Sequence, residues 1–305
     1  MEQKIRRVER LVEPVQVLEG AGVRLKRSIA SRKLDYLDPF LLFDHFGSDN
    51  PDDFLAGFPM HPHRGIETVT YMMAGFVDHM DSLGNAGRIG PGDVQWMTAG
   101  SGIMHEEMPK PDRGGRMEGF QLWVNLPARL KMSRPRYQEF AAEHIPDVEV
   151  RGARVRVVAG QVDGVDGPVR EIAARPTYLD VTVLPGEVWT HPVPRGHNAF
   201  AYLFEGQGAL GRSEAPLTAP LLAVLGDGDR VEVAAGADPV RFLLVSGEPL
   251  GEPVARYGPF VMNTRAEIEQ ALRDLRAGTF VKVEPEAPED DVSEDGVWYG
   301  SALKQ

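Results

Sequence analysis

The chain has 305 residues, with no cysteine, 42% apolar and 26% charged residues, and a formal net charge of −12. This length can bury the cores of two ordinary domains, and the balance of apolar and charged residues is that of a soluble globular protein. The acidic surplus excludes nucleic-acid binding through bulk electrostatics, which needs a basic face, and the missing thiols exclude disulfides and thiolate-held metals.

The N-terminal stretch MEQKIRRVERLVEPVQVLEG carries charge throughout and lacks the apolar centre of a signal peptide. No run approaches the ~18 apolar residues of a membrane span, so no membrane association is expected and the expected location is the cytoplasm. Short apolar runs ending in turn residues then recur along the chain. ETVTYMMAG, DVQWMTAG, FQLWVNL, ARVRVVAG, TYLDVTVLPG, AFAYLFEGQG, PLLAVLGDGD and VRFLLVSGEP all read as strands. Helical spacing is rare, and its clear case is residues 264–275, where Ile268, Ala271, Leu272 and Leu275 recur at i, i+3, i+4 and i+7. Thr264 and Glu267 form a capping box before them, and Gly278 stops the helix. Further on, EPEAPEDDVSED places seven acidic residues between Glu284 and Asp295, the composition of a flexible solvated tail, and VWYGSALK after it could fold back or bind a partner. The expectation is an all-β protein with one short C-terminal helix.

An internal repeat divides the chain. HPHRGIETVTYMMAG (61–75) lies over PVPRGHNAFAYLFEG (192–206) without gaps, matching Arg64 with Arg195, Gly65 with Gly196, Tyr71 with Tyr202 and Gly75 with Gly206. Downstream, GPGDVQWM (90–97) resembles GDGDRVEV (226–233), each a Gly-Asp turn entering a strand. The joint falls near residues 134–146, where proline and charge interrupt the strand pattern. In this register His61 faces Pro192, His63 faces Pro194, His105 faces Arg241 and Glu107 faces Leu243. One copy then carries a polar site that its twin lacks.

That site rests on two pairs. Alternate residues of a strand point to the same side, so His61 and His63 project together, as do His105 and Glu107. Two such strands meeting inside a barrel can bring all four to a common point. Three imidazoles and a carboxylate suit Fe(II), Mn(II), Ni(II), Cu(II) or Zn(II), and on an octahedral ion they leave two open positions. Glu106 points to the opposite face. Glu67, Gln95 and Arg64 are expected to support the ligands or the strand. Phe58, Trp96, Met97 and Trp123 are candidates for an apolar pocket or for core. His45 and His79 are placed at the surface or cavity mouth, while His144, His191 and His197 show no partner pattern.

The blocks DPFLLFDHF (38–46), FPMHPHRGIETVTYMMAG (58–75), GPGDVQWMTAGSGIMHEEMP (90–109) and GFQLWVNLP (119–127) closely resemble the pirin family of the cupin superfamily. The resemblance runs from about residue 5 to 280. It implies a bicupin: two jelly-roll-type β-barrels packed face to face, with a single iron in the first. The domains it implies are residues 1–136 for the metal-binding cupin barrel and 137–280 for a barrel without metal ligands, leaving 281–305 as the acidic tail. By carry-over the metal ligands are His61, His63, His105 and Glu107, with Glu107 also catalytic. The cofactor is one divalent transition metal, Fe(II) first, with Zn, Mn, Ni, Cu or Co also fitting the ligands.

For bacterial pirins the resemblance implies quercetin 2,3-dioxygenase activity, with a flavonol or similar aromatic enol and O2 as substrates. The alternative it implies is a non-catalytic, iron-dependent, redox-sensitive regulator. With so acidic a chain, that role requires a protein partner and no direct contact with nucleic acid.

Overall fold

A computed structural model describes residues 4–211, 213, 215–283 and 298–299 of the chain. The acidic segment 284–297 and the residues after 299 lie outside the described residues. Within them the protein is built from antiparallel strands, and its α-helix, Arg265–Arg276, is the one expected from spacing. Thr264 caps that helix as anticipated, accepting a hydrogen bond from the Glu267 N–H while the Glu267 carboxylate accepts from the Thr264 N–H. No helix among the described residues is long and apolar enough to cross a membrane.

Two compact units divide the chain discontinuously. One takes residues 16–27, 40–142 and 250–305, the other 1–15, 28–39 and 143–249. The sequence boundaries at 136 and 280 are continuous by contrast. The exchange follows from strand pairing: Val8–Val12 pairs with Leu221–Leu225 and so joins the second unit.

Each unit is a double sheet. In the histidine-bearing unit, Phe40–Ser48, Met117–Asn125, Ile66–Ala74, Val94–Thr98 and Arg136–Phe140 run as consecutive neighbours, and Trp298–Tyr299 pairs with the last of them. Its second sheet has the order Phe58–His63, Ile103–Lys110, Phe76–Asp81, Ala86–Ile89. The other unit repeats this plan, with Leu221–Leu225, Asn198–Glu205, Val240–Gly247 and Thr177–Val183 adjacent in one sheet. Its smaller sheet has the order Val188–Pro192, Arg230–Ala235, Gln207–Leu210, Leu217–Thr218. Two twisted antiparallel sheets closed on each other bury their alternate, inward-facing residues, as the jelly roll requires.

This topology corrects the repeat register. Ile103–Lys110 and Arg230–Ala235 hold the same second place in the two small sheets. The Gly-Asp turn before Arg230 therefore enters the counterpart of the His105 strand, whereas the turn before Val94 enters the large sheet. Two similar turns had suggested equivalent strands. The inward pairs of the second unit are Trp189 with His191 and Val231 with Val233, directly opposite one another in register. One histidine thus does persist there. His191 stacks on Trp189 at 5.5 Å, and burial pushes its pKa down to about 4, so it stays neutral. Around it Val155, Val181, Leu203 and Phe242 fill the interior as a packed hydrocarbon core.

In the histidine-bearing unit the ligand strand is locked in place from behind. Gly65 adopts φ +79, and a Cβ there would sit 2.0 Å from the Val261 carbonyl oxygen. Buried Lys131 donates to the carbonyls of Gly65 (3.0 Å) and Val261 (2.9 Å) and to Asn125 Oδ1 (2.7 Å), and burial lowers its pKa to about 8. Arg64 turns away from the ligands altogether. Its guanidinium reaches the Ser101 carbonyl (2.6 Å), Asp274 Oδ2 (2.8 Å) on the helix and the Phe280 carbonyl (2.9 Å). It also lies 4.4 Å over the Phe280 ring. This is helix docking rather than support of the metal ligands.

Removing Asp274 would strand the fully buried Arg64 cation. Asp274→Ala should lower the unfolding free energy by about 3 kcal/mol, as for other broken buried ion pairs. Denaturant titration checks this; an unchanged midpoint would show that Arg64 does not depend on the carboxylate.

Candidate metal centre and its cavity

His61 and His63 stand on Phe58–His63, and His105 stands on its neighbour Ile103–Lys110. His61 lies directly opposite His105 in register, but Glu107 lies opposite Phe58, so Phe58–His63 carries one extra residue around Pro59 and Met60. Pro59, which cannot donate to a ladder, is accommodated within this bulge. The three rings close on one another, with centroids 4.9, 4.4 and 5.0 Å apart. One nitrogen from each lies within 4.8 Å of the others.

Protonation follows from the surroundings. His61 Nδ1 lies 3.0 Å from the Pro59 carbonyl oxygen, which can only accept, so Nδ1 donates and the tautomer of the neutral ring is the one with its lone pair on Nε2. That Nε2 faces His63 Nε2 at 3.1 Å. Burial, with the nearby His61, holds His63 well below the usual histidine range, and burial with His63, His61 and His79 does the same to His105. Both ring nitrogens of His105 are buried without a hydrogen-bond partner among the described residues. Neutral, convergent and unpartnered imidazole nitrogens are costly unless a cation takes their lone pairs. The donor set fits a borderline transition metal, and His61, His63 and His105 are the residues that would hold it.

Glu107 stands outside the three-histidine group. It lines the cavity beside it, with Oε1 3.2 Å from Thr70 Oγ1, which also donates to Gln121 Oε1 at 2.7 Å. A hydroxyl has one proton to give, so Thr70 can serve either neighbour as the charge on Glu107 changes.

The cavity has a volume of about 520 Å³. Leu25, Leu42, Phe46, Phe58, Val77, Met117 and Trp123 give it apolar walls, and His61, His63 and Glu107 open onto it. One side is charged. Arg27 grips both oxygens of Asp44 (2.8 and 2.7 Å) and reaches Glu19 Oε1 (2.5 Å). Burial lifts the Asp44 carboxyl above its ordinary range even so. This size and this mixture of apolar wall with a few convergent polar groups are those of a small-molecule site.

Phe58 and Trp123 are therefore walls of the cavity, whereas Trp96 and Met97 are buried core residues that do not line it. Glu67 is fully buried; its Oε1 accepts from the Thr98 hydroxyl at 2.9 Å, and burial pushes its carboxyl up to about 7. His45 pairs with Glu118 (3.0 Å), and His79 with Glu139 (3.0 Å), to which the Gln95 amide also donates (2.8 Å). Both histidines are buried, not at the surface. Spacing alone did not find Thr70, Gln121, Arg27 or Arg256, since they come from separate strands and loops. Asp44 did leave a signal: it is an ionisable residue inside the apolar run FLLFDHF.

Lowered histidine pKa values give a signed expectation for the metal-free protein. Below the unfolded-state value near 6.5 the unfolded chain binds protons that His63 and His105 refuse, so stability is lost as pH falls below about 6.5. His105→Leu should flatten this loss by up to about 1.4 kcal/mol per pH unit, the value of one proton. Glu67 shifts the other way but is common to both proteins and cancels in the difference. Denaturant midpoints between pH 7 and 5 check this; parallel profiles would contradict it.

Comparison with known proteins accords with the double-barrel plan. The family described as Pirin matches residues 22–124, and the family described as the Pirin C-terminal cupin domain matches residues 178–281. A pirin-like protein of Caulobacter vibrioides is 47% identical over 279 residues, spanning 90% of this chain and 99% of its own. Human pirin is 46% identical over 264 residues, spanning 85% of this chain and 88% of its own. A crystal structure of quercetin 2,3-dioxygenase from Acinetobacter baumannii superposes with a TM-score of 0.82 at 35% identity, covering 90% of this chain and 98% of that one. The chain belongs to the pirin family of two-barrel cupin proteins.

Proposed function

We propose that the protein is a metal-dependent dioxygenase of the quercetin 2,3-dioxygenase type, opening flavonol-like aromatic enols with O2. The observation that carries this reading is the group of three convergent imidazoles, two of which, His61 and His63, open onto an apolar-walled cavity of about 520 Å³. The likeness to the Acinetobacter baumannii enzyme supports it. Fe(II) is the preferred metal, and Zn, Mn, Ni, Cu and Co suit the same donors.

In this reading His61, His63 and His105 hold the cation and Glu107 completes the ligand set. The bound cation supplies Lewis acidity that favours the ionised enol, together with redox capacity for O2 chemistry. The chain's own residues do the rest. Leu42, Phe46, Val77 and Trp123 take the faces of a planar ring system and exclude water from it. The Glu107 carboxylate takes up the enol proton, and Thr70 turns its hydroxyl between Gln121 and Glu107 as that charge changes. Overall, both atoms of O2 enter the products, the heterocycle opens and one carbon leaves as carbon monoxide.

Oxygen consumption with quercetin tests this, with rates taken per bound metal. His105→Ala should remove metal and turnover together. Glu107→Gln should lower the rate per metal by about 10²-fold or more, the scale of a lost general base. A metal-loaded protein that consumes no O2 with any flavonol of a panel would contradict the dioxygenase and leave the non-catalytic, partner-binding reading.

A further inference from the structure

We propose that Gln121 is a specificity-determining residue of this cavity: its side-chain amide donates to a carbonyl oxygen of the substrate, on the carbon next to the one that bears the enol hydroxyl. This rests on the reading of the cavity as the substrate site, and it selects planar aromatic hydroxyketones over simple phenols of similar size.

Thr70 carries the geometry. Its hydroxyl lies between two side chains, donating to Gln121 Oε1 at 2.7 Å and standing 3.2 Å from Glu107 Oε1. Gln121 and Thr70 are directly opposite in register on neighbouring strands, and both line the cavity together with Glu107. With its oxygen held by Thr70, the carboxamide is oriented, and its nitrogen has no hydrogen-bond partner among the described residues. Asp44, opposite Gln121 on the other neighbouring strand, gives both of its oxygens to Arg27 (2.8 and 2.7 Å). The amide N–H groups are therefore left to the cavity, where donors beside apolar walls are costly to leave unpaired.

A proton acceptor and an amide donor thus flank one hydroxyl. A vicinal hydroxyketone presents the matching pair, its hydroxyl to Glu107 and its carbonyl to Gln121. A phenol without the carbonyl leaves the amide unpaired, and a site built to donate discriminates against such an analogue. The contact also acts on the proton acceptor. Hydrogen bonds in a chain strengthen one another, so an amide that donates to the substrate accepts more strongly from Thr70. The Thr70 hydroxyl is then drawn toward Gln121, and the Glu107 oxygen keeps its lone pair for the enol proton.

Equilibrium dialysis of the full chain loaded with nickel(II) tests this with two probes, flavone and 2-phenyl-4H-chromene. They share every ring and differ by one carbonyl oxygen, and neither has a hydroxyl to offer to the metal or to Glu107. Relative affinity for flavone over the chromene should fall about tenfold in Gln121→Leu, the scale of one hydrogen bond to an otherwise unpaired donor. Gln121→Glu keeps the shape and the acceptor for Thr70 but puts an oxygen in place of the donor, and it should lower the ratio at least as far. A ratio unchanged in either folded, nickel-loaded variant would overturn the assignment, as would a wild-type protein that binds neither probe. Oxygen consumption with quercetin on the same preparations reports separately on the dioxygenase reading, so the two can fail independently.

Discussion

Three imidazoles brought together, two of them too buried to take a second proton, are the constraint around which the histidine-bearing unit is built. His63 and His105 are 3% and 1% exposed, too buried to be charged, and their lone pairs converge with that of His61. Such an arrangement persists only where the surrounding backbone leaves no alternative. Here the strand is fixed on both sides of the pair. The bulge at Pro59 and Met60 sets the rotation of His61 and supplies the carbonyl that fixes its tautomer. Behind His63, Gly65 lies against Val261 where no larger residue fits, and buried Lys131 ties both to Asn125. Arg64 then couples the same turn to the C-terminal helix. The helix is remote in sequence from the histidines, yet its docking residue is the ligands' immediate neighbour.

Spacing in the sequence exposed the three histidines because the strand period of two is a strong local signal, and two strands repeated it. It exposed the helix for the same reason, with four apolar residues and a capping box in agreement. Other features depended on information that spacing does not carry. The bulge opposite Glu107 changes register by one residue, and nothing in FPMHPH marks it beyond the prolines themselves. The false register of the repeat came from two Gly-Asp turns that look alike but enter different sheets. Thr70, Gln121, Arg27 and Arg256 reach the cavity from four separated segments, and only tertiary folding brings them together. Arg64, read as support for the ligands, is drawn the other way by Asp274 and the Phe280 carbonyl, partners more than two hundred residues away.

The two units show one architecture used in two ways. Equivalent strands of the small sheets present histidines in one unit and Trp189, Val231 and Val233 in the other. The second interior is closed by hydrocarbon packing, and its remaining histidine is kept neutral by burial against an indole. The first forgoes part of such packing and holds a cavity instead. Beside its hydrophobic clusters the first unit has buried polar anchors, Lys131 and Arg64, which are costly to disturb singly. Chemistry then follows from position: neutral nitrogens suit a transition metal, apolar walls suit a flat aromatic, and Glu107 with Thr70 can accept and accommodate a proton.

All of this turns on whether the three nitrogens bind a metal. The most direct measurement is elemental analysis of the full chain, purified without affinity-column metal, both as isolated and after loading with Fe(II) under anaerobic conditions. One transition-metal ion per chain in the loaded protein, lost in a folded His63→Ala variant, is the expected result. A folded chain that takes up no stoichiometric iron, nickel, manganese, zinc, copper or cobalt would contradict the assignment of His61, His63 and His105 as a metal centre.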